Sequence, residues 1–196
     1  MKIKVNDMNE NINNIEQKKK NSFTETCFDV VSVLATAVIA VAIAFLCFFR
    51  TVGVVGSSMY PTLHNTDRII LSAFLFEPEN GDIVVTCQPS KSEIIEDVLV
   101  KRIIATEGQT VDIDFQLGIV YVDGEPLDEP YVNEPTFDRE DFYAPVTVPE
   151  GYVFVMGDNR NHSTDSRDDR VGLIREEYVL GKALFRIMPF GQFKIG

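Results

Sequence analysis

Between Val30 and Phe49 lie twenty residues of which only Ser32 and Thr36 are polar. At ~1.5 Å rise per residue such a helix is about 30 Å long, the thickness of a bilayer's hydrocarbon core. A core helix of a soluble protein keeps a polar stripe, whereas this run is apolar on every side. A cleavable leader carries an apolar region of ~7–15 residues that ends in small side chains. Here the run is longer and ends Cys47-Phe48-Phe49-Arg50. Residues 28–50 are therefore expected to form a retained transmembrane signal-anchor helix.

The flanks orient it. Residues 1–27 are polar and rich in Asn, with Lys18, Lys19 and Lys20 near the end, and are expected to be a disordered tail. Five lysines precede the helix and only Arg50 stands at its exit. The positive-inside rule then puts the tail in the cytoplasm and residues 51–196 outside, on a single-pass protein of the cell membrane. That outer part holds 12 basic and 25 acidic residues, a net −13. Such a charge repels phosphate backbones, so no nucleic-acid partner is expected, and the anchor rather than the domain surface must hold the lipid bilayer. The three cysteines, Cys27, Cys47 and Cys87, include no CxxC pair. Neither a disulfide framework nor a zinc site is expected, and nothing points to a metal or an organic cofactor.

Residues 51–196 read as one mainly β domain built from antiparallel strands. Short runs rich in β-branched residues recur at 68–71, 82–86, 98–106, 110–113, 119–122 and 152–156, with a last strand at 181–188. Asn80-Gly81, Glu107-Gly108, Asp123-Gly124 and Glu150-Gly151 punctuate them, and Asp123-Gly124 suits a tight hairpin. Arg175–Leu180 fits a single helical turn. Asp128–Pro149 carries four prolines and six acidic residues and reads as an exposed, loop-rich insertion.

Three places could carry chemistry. Ser58, in Gly56-Ser57-Ser58-Met59-Tyr60-Pro61, lies eight residues beyond Arg50. Eight extended residues reach at most ~29 Å, which tethers that hydroxyl near the outer membrane face. A nucleophilic serine needs a base. His64 and His162 are the only histidines, one on the same turn and one in a polar loop. Lys101 is the other candidate. Strand alternation puts it on one face with Leu99 and Ile103, and Val98, Val100, Arg102 and Ile104 on the other. On an apolar face desolvation favours the neutral amine, as a base requires. The alternative is a lysine whose stem packs while its ammonium reaches water. The third place, Gly157 to Arg167, follows an apolar strand and concentrates hydrogen-bonding side chains. A turn stapled by its own bonds and a calcium loop both fit that composition, but Arg160 and Arg167 oppose a cation. A salt-bridged loop that supports a site fits better.

Taken together these segments resemble the bacterial type I signal peptidases, in the short Gram-positive-like branch. The resemblance runs through Ser58-Met59-Tyr60-Pro61-Thr62-Leu63, Gly81-Asp82-Ile83-Val84-Val85, Lys101-Arg102, Gly157-Asp158-Asn159-Arg160 with Ser163, Asp165, Ser166 and Arg167, and Gly181-Lys182-Ala183. It implies a serine endopeptidase that cuts signal peptides from exported preproteins after small residues. By motif, Ser58 would be the nucleophile and Lys101 the general base. Ser163 would hydrogen-bond the Lys101 amine, and Asp158 with Arg102 and Asp165 with Arg167 would be structural pairs. Met59 would wall a substrate pocket. The Ser58 N–H would donate to the oxyanion. Where some members carry a serine as second donor this chain has Gly56, which leaves a backbone N–H such as that of Gly56, or none. The run Asp168-Asp169-Arg170 is longer than the resemblance implies and leaves that turn open. A monomer is expected. Two other readings are a self-cleaving repressor, which would need a DNA-binding module ahead of Ser58, and a non-enzymatic membrane-tethered β module.

Overall fold

The computed structural model describes residues 26–43, 45, 48–73, 76–89, 98–190 and 195. Most of the expected tail, residues 1–25, lies outside the described residues. The chain divides into two units, Met1–Cys47 and Phe48–Gly196. In the first, one helix (α1, Thr26–Ile43) is long and apolar enough to cross a membrane. Its two hydroxyls turn back onto the helix: Ser32 Oγ donates to Asp29 O at 2.9 Å and Thr36 Oγ1 to Ser32 O at 2.7 Å. Each of these hydroxyls is thus satisfied within the helix, as hydrocarbon surroundings would require.

The second unit is antiparallel β. Its strands are β1 (Phe49–Gly53), β2 (Arg68–Ser72), β3 (Ile83–Cys87), β4 (Val98–Ala105), β5 (Thr110–Asp114), β6 (Ile119–Val122), β7 (Glu125–Pro126), β8 (Val146–Thr147), β9 (Tyr152–Met156), β10 (Ile174–Arg175) and β11 (Val179–Met188). One sheet runs β1-β2-β11-β3-β4-β9-β10 and a smaller one β7-β6-β5-β8. The expected helical turn is a short 3-10 turn at Glu176–Tyr178. At the anchor's exit the structure differs from the sequence reading. Phe49 and Arg50 pair with Ser72 and Leu71 and begin β1, because β2 offers their backbone a partner.

Why several strands read as continuous apolar runs is clear from the packing. In β9, Val153 and Val155 enter one core with Val84 and Ile103, while Phe154 and Met156 enter another with Ile104 and Val111. In β3, Val84 faces the first of these cores, and Ile83 and Val85 join Met59, Leu63 and Ile69 in a third. At β3 and β9 both faces of the larger sheet are covered, so both sets of alternating positions there are hydrophobic.

The larger sheet also curls. In a flat sheet β1 and β4 would stand about 19 Å apart, four strand spacings of ~4.8 Å. Instead Val52–Gly56 and Val98–Lys101 line one cleft of about 230 Å³. Long, irregular β11 supplies the bend, with register shifts against both neighbours. Gly181 sits at one of them with φ 151°, and a Cβ there would come within 2.4 Å of Ser72 O. Only glycine fits that approach.

The insertion Asp128–Pro149 is largely exposed, as its composition suggested, but it is anchored in the core. Phe142 is buried and packs edge-on against Phe115 and Phe154, with ring centroids 6.0 Å apart in both pairs. Val148 and Thr136 are buried, and β8 pairs with β5. One buried aromatic anchors a stretch that is otherwise rich in proline and charge. Phe142→Ala is therefore expected to destabilise the β unit by ~3–5 kcal/mol in urea unfolding, where a surface flap would lose under ~0.5 kcal/mol.

Candidate active site

Ser58 follows β1 on a tight turn. Leu63 N–H donates to Met59 O at 2.8 Å, and Tyr60 N–H to Ser57 O at 3.0 Å. Met59 is buried in the core beneath this turn and also lines the cleft. Lys101 comes from β4, whose Leu99 and Ile103 share the core expected from alternation. Its amine donates to Ser58 Oγ at 2.8 Å, and the residue is only 3 % exposed. Neither histidine competes: His64 is exposed and stacks edge-on against Tyr60, and His162 is exposed.

Burial pushes the Lys101 amine down from its ordinary 10.5 to about 8. Desolvation is the leading cause, and Arg167 adds to it, while the carboxylates of Asp165, Glu140 and Asp158 oppose it. The opposition is weakened because Asp165 is already saturated. Its Oδ2 accepts from Gly157 N at 3.0 Å, Ser163 Oγ at 2.8 Å and Arg167 Nη2 at 2.9 Å, and its Oδ1 accepts from Arg167 Nε at 2.9 Å. Burial alone would raise the Asp165 pKa; the Arg167 charge and hydrogen bonds win and hold it below the usual carboxylate range.

The supporting loop is stapled by three buried guanidinium–carboxylate pairs. Arg102 grips Asp158 through Nε and Nη2 at 2.9 and 2.7 Å, and Asp158 also accepts from Thr62 Oγ1 on the Ser58 turn. Arg102 further donates to Gly81 O at 2.7 Å and lies 3.8 Å from the centroid of Tyr131. Arg160 pairs with Glu129 at 2.6 and 2.8 Å, tying the loop to the insertion. Arg167, besides holding Asp165, donates to Asp138 O and Arg160 O. Gly157 lets two of these pieces meet, since a Cβ there would lie 2.2 Å from Ser163 Oγ and 2.4 Å from Ser58 O.

Ser163 and Gly56 are both engaged by neighbouring side chains. Ser163 lies next to Ser58 across Gly157, but its hydroxyl donates to Asp165 Oδ2. It reaches the electrostatics of Lys101 through that carboxylate. The Gly56 N–H donates to Asn65 Oδ1 at 3.2 Å, so it is engaged by a side chain rather than presented as an oxyanion donor. The Ser58 N–H has no acceptor among the described residues.

Sequence reasoning passed over several contributors. Thr62 joins Ser58's turn to Asp158, and Glu129 and Tyr131 brace the arginines. Glu140 occupies a left-handed position with φ 50°, and its Oε2 is buried without a partner among the described residues. Burial, then the charge of Asp165, raises its pKa to about 7. Polar composition in the insertion concealed these roles, since only the fold brings it against the loop. The Asp168-Asp169-Arg170 turn, left open by the sequence, is closed by its own side chains. Asp168 is buried, binds the Arg170 guanidinium and caps the turn by accepting from the Arg170 N–H at 2.8 Å.

Removing one member of a buried pair leaves the other unpaired. Arg167→Met is expected to cost ~3–5 kcal/mol in chemical unfolding, a far larger loss than the same change at half-exposed Arg170.

A model of the family described as "Signal peptidase, peptidase S26" matches residues 27–188. Signal peptidase I T of Bacillus subtilis is 34% identical over 199 residues, covering 95% of this chain and 96% of its own. Signal peptidase I S of the same organism is 37% identical over 172 residues, covering 80% and 88%. Probable signal peptidase I-1 of Synechocystis is 40% identical over 142 residues, covering 68% of each chain. The match takes in the anchor-like helix, the Ser58 turn, β4 and the arginine-stapled loop alike, and the chain belongs to the S26 family as a type I signal peptidase, an enzyme that removes signal peptides from preproteins.

Proposed function

We propose that Ser58 and Lys101 form the catalytic dyad of this signal peptidase. The observation that carries the reading is the 2.8 Å contact between Ser58 Oγ and the buried Lys101 amine. A neutral amine there takes the hydroxyl proton as Ser58 Oγ attacks the scissile carbonyl. The negative oxygen that forms faces the free Ser58 N–H. The resulting ammonium then gives its proton to the leaving nitrogen, which departs as the new N-terminus of the mature protein. Water attacks the acyl-serine with Lys101 again as base, and the signal peptide leaves as a carboxylate.

The cleft supports an extended substrate. Val54 makes both its backbone bonds with the Thr66–Asp67 segment, so alternation turns the backbone groups of Gly53 and Val55 toward the open edge. On β4, Ile103 N–H bonds Asp82 O, which turns the groups of Val98 and Val100 to the edge that β9 leaves unpaired. A peptide strand laid between these edges would pair with both sides and run up to Ser58. Walls of Val52, Val54, Met59 and Val100 leave little depth, which favours small side chains beside the cut.

The lysine-rich flank ahead of α1 supports a cytoplasmic tail 1–27, a membrane anchor and an outer peptidase domain from residue 51. Substrates whose apolar region sits in the bilayer would then meet Ser58 as they emerge. Every group named lies in one chain, so a monomer suffices.

Ser58→Ala and Lys101→Ala are each expected to lower preprotein cleavage in vitro by at least ~10³-fold with unfolding midpoints near the parent's. Near-parental cleavage by either variant refutes the dyad, and dependence on His64 or His162 would favour a triad instead.

A further inference from the structure

Asn159 has no part in the dyad, yet the residue is only 6 % exposed and its side chain is satisfied at one end only. Its Nδ2 donates to Ser57 O at 3.1 Å, while its Oδ1 is buried with no partner among the described residues. Its backbone N–H donates to Ser58 O at 2.9 Å. A buried amide left half-satisfied costs stability, so a residue placed there for structure alone is poorly chosen.

The atom it grips matters. Ser57 C=O and Ser58 N–H belong to one peptide unit, which is trans and planar, so the two groups point in opposite directions. Ser57 O accepts from both Asn159 Nδ2 and Tyr60 N, at 3.1 and 3.0 Å. Fixing the carbonyl on that side aims the Ser58 N–H the other way, where no described residue accepts from it. Two donors on the carbonyl also polarise the amide and strengthen its N–H as a donor. With the Gly56 N–H engaged by Asn65, the aim of this one N–H carries more weight.

We infer that Asn159 is a positioning residue of the oxyanion site: its side-chain amide sets the plane of the Ser57–Ser58 peptide and so directs the Ser58 N–H at the oxygen that becomes negative. The inference rests on the proposed role of Ser58. It predicts that Asn159 acts on the transition state and hardly on substrate binding.

The test uses the full chain in detergent, with Asn159→Leu and Asn159→Ala. Leucine keeps the shape and removes both the donor and the unpaired oxygen. For both variants kcat on a preprotein should fall ~10–100-fold, part of the ~10²–10³ lost when an oxyanion donor is deleted, with KM changed less than about twofold. N159L should melt no lower than the parent. A peptide aldehyde, whose carbonyl takes up Ser58 Oγ and its proton to give a tetrahedral hemiacetal, is compared with the corresponding alcohol, which cannot be attacked. The parent's preference for the aldehyde should shrink by the same factor as kcat. Equal weakening of aldehyde and alcohol, or a loss confined to KM, overturns the inference. If the parent forms no adduct at Ser58, the dyad reading fails instead. Should neither variant fold, exchange of the Asn159 side-chain NH₂ in the parent–aldehyde complex decides: slow exchange supports the inference, and fast exchange overturns it.

Discussion

The structure depends on an amine held out of water. An ordinary lysine is protonated at neutral pH and useless as a base; burial of Lys101 against Ser58 removes the hydration that would stabilise its charge. That solution has an obvious hazard, because Asp158 and Asp165 stand close enough to favour the ammonium form. Each is met by a guanidinium in bidentate contact, Arg102 for one and Arg167 for the other. These two carboxylates are thus held in closed pairs beside an amine whose neutral fraction burial raises. Buried ion pairs contribute little net stability, so their value here is geometric and electrostatic.

The fold makes that arrangement rigid. Ser58 sits on a turn pinned from below by Met59 and Leu63, from the side by Thr62 to Asp158, and from above by Asn159. Lys101 projects from the half of β4 whose outer edge β9 leaves open, so the same residues that hold its amine also border the cleft. The insertion closes the back of the loop through Glu129 and the backbone of Asp138, and is itself held by Phe142.

Much of this was legible in the sequence, for identifiable reasons. Strands such as 110–114 and 152–156 announced themselves because β-branched runs lay beside Gly-containing turns. Alternation in β4 placed Lys101 with Leu99 and Ile103, and the packing agrees. Short strands β7, β8 and β10 escaped because two residues carry no period. The start of β1 was hidden in the apolar run, since Phe49 suits a strand as well as a helix. Contacts between distant segments were out of reach: nothing local tells that Glu129 meets Arg160 or that Asn65 takes the Gly56 N–H. The hydroxyl of Ser163 was placed in the right neighbourhood, and it donates to Asp165, a strong acceptor two residues on.

The most direct test is titration of the Lys101 amine by carbon-13 resonance of its Cε in the full chain, alone and with Glu140→Gln. A midpoint near 8 is expected in the parent. The variant should titrate lower, because the ionised Glu140 carboxylate favours the ammonium form and glutamine does not. A midpoint at the ordinary lysine value of 10.5 in the parent would leave roughly one amine in a few thousand neutral at pH 7, against roughly one in ten at a midpoint of 8, and would contradict a Lys101 that serves as the base.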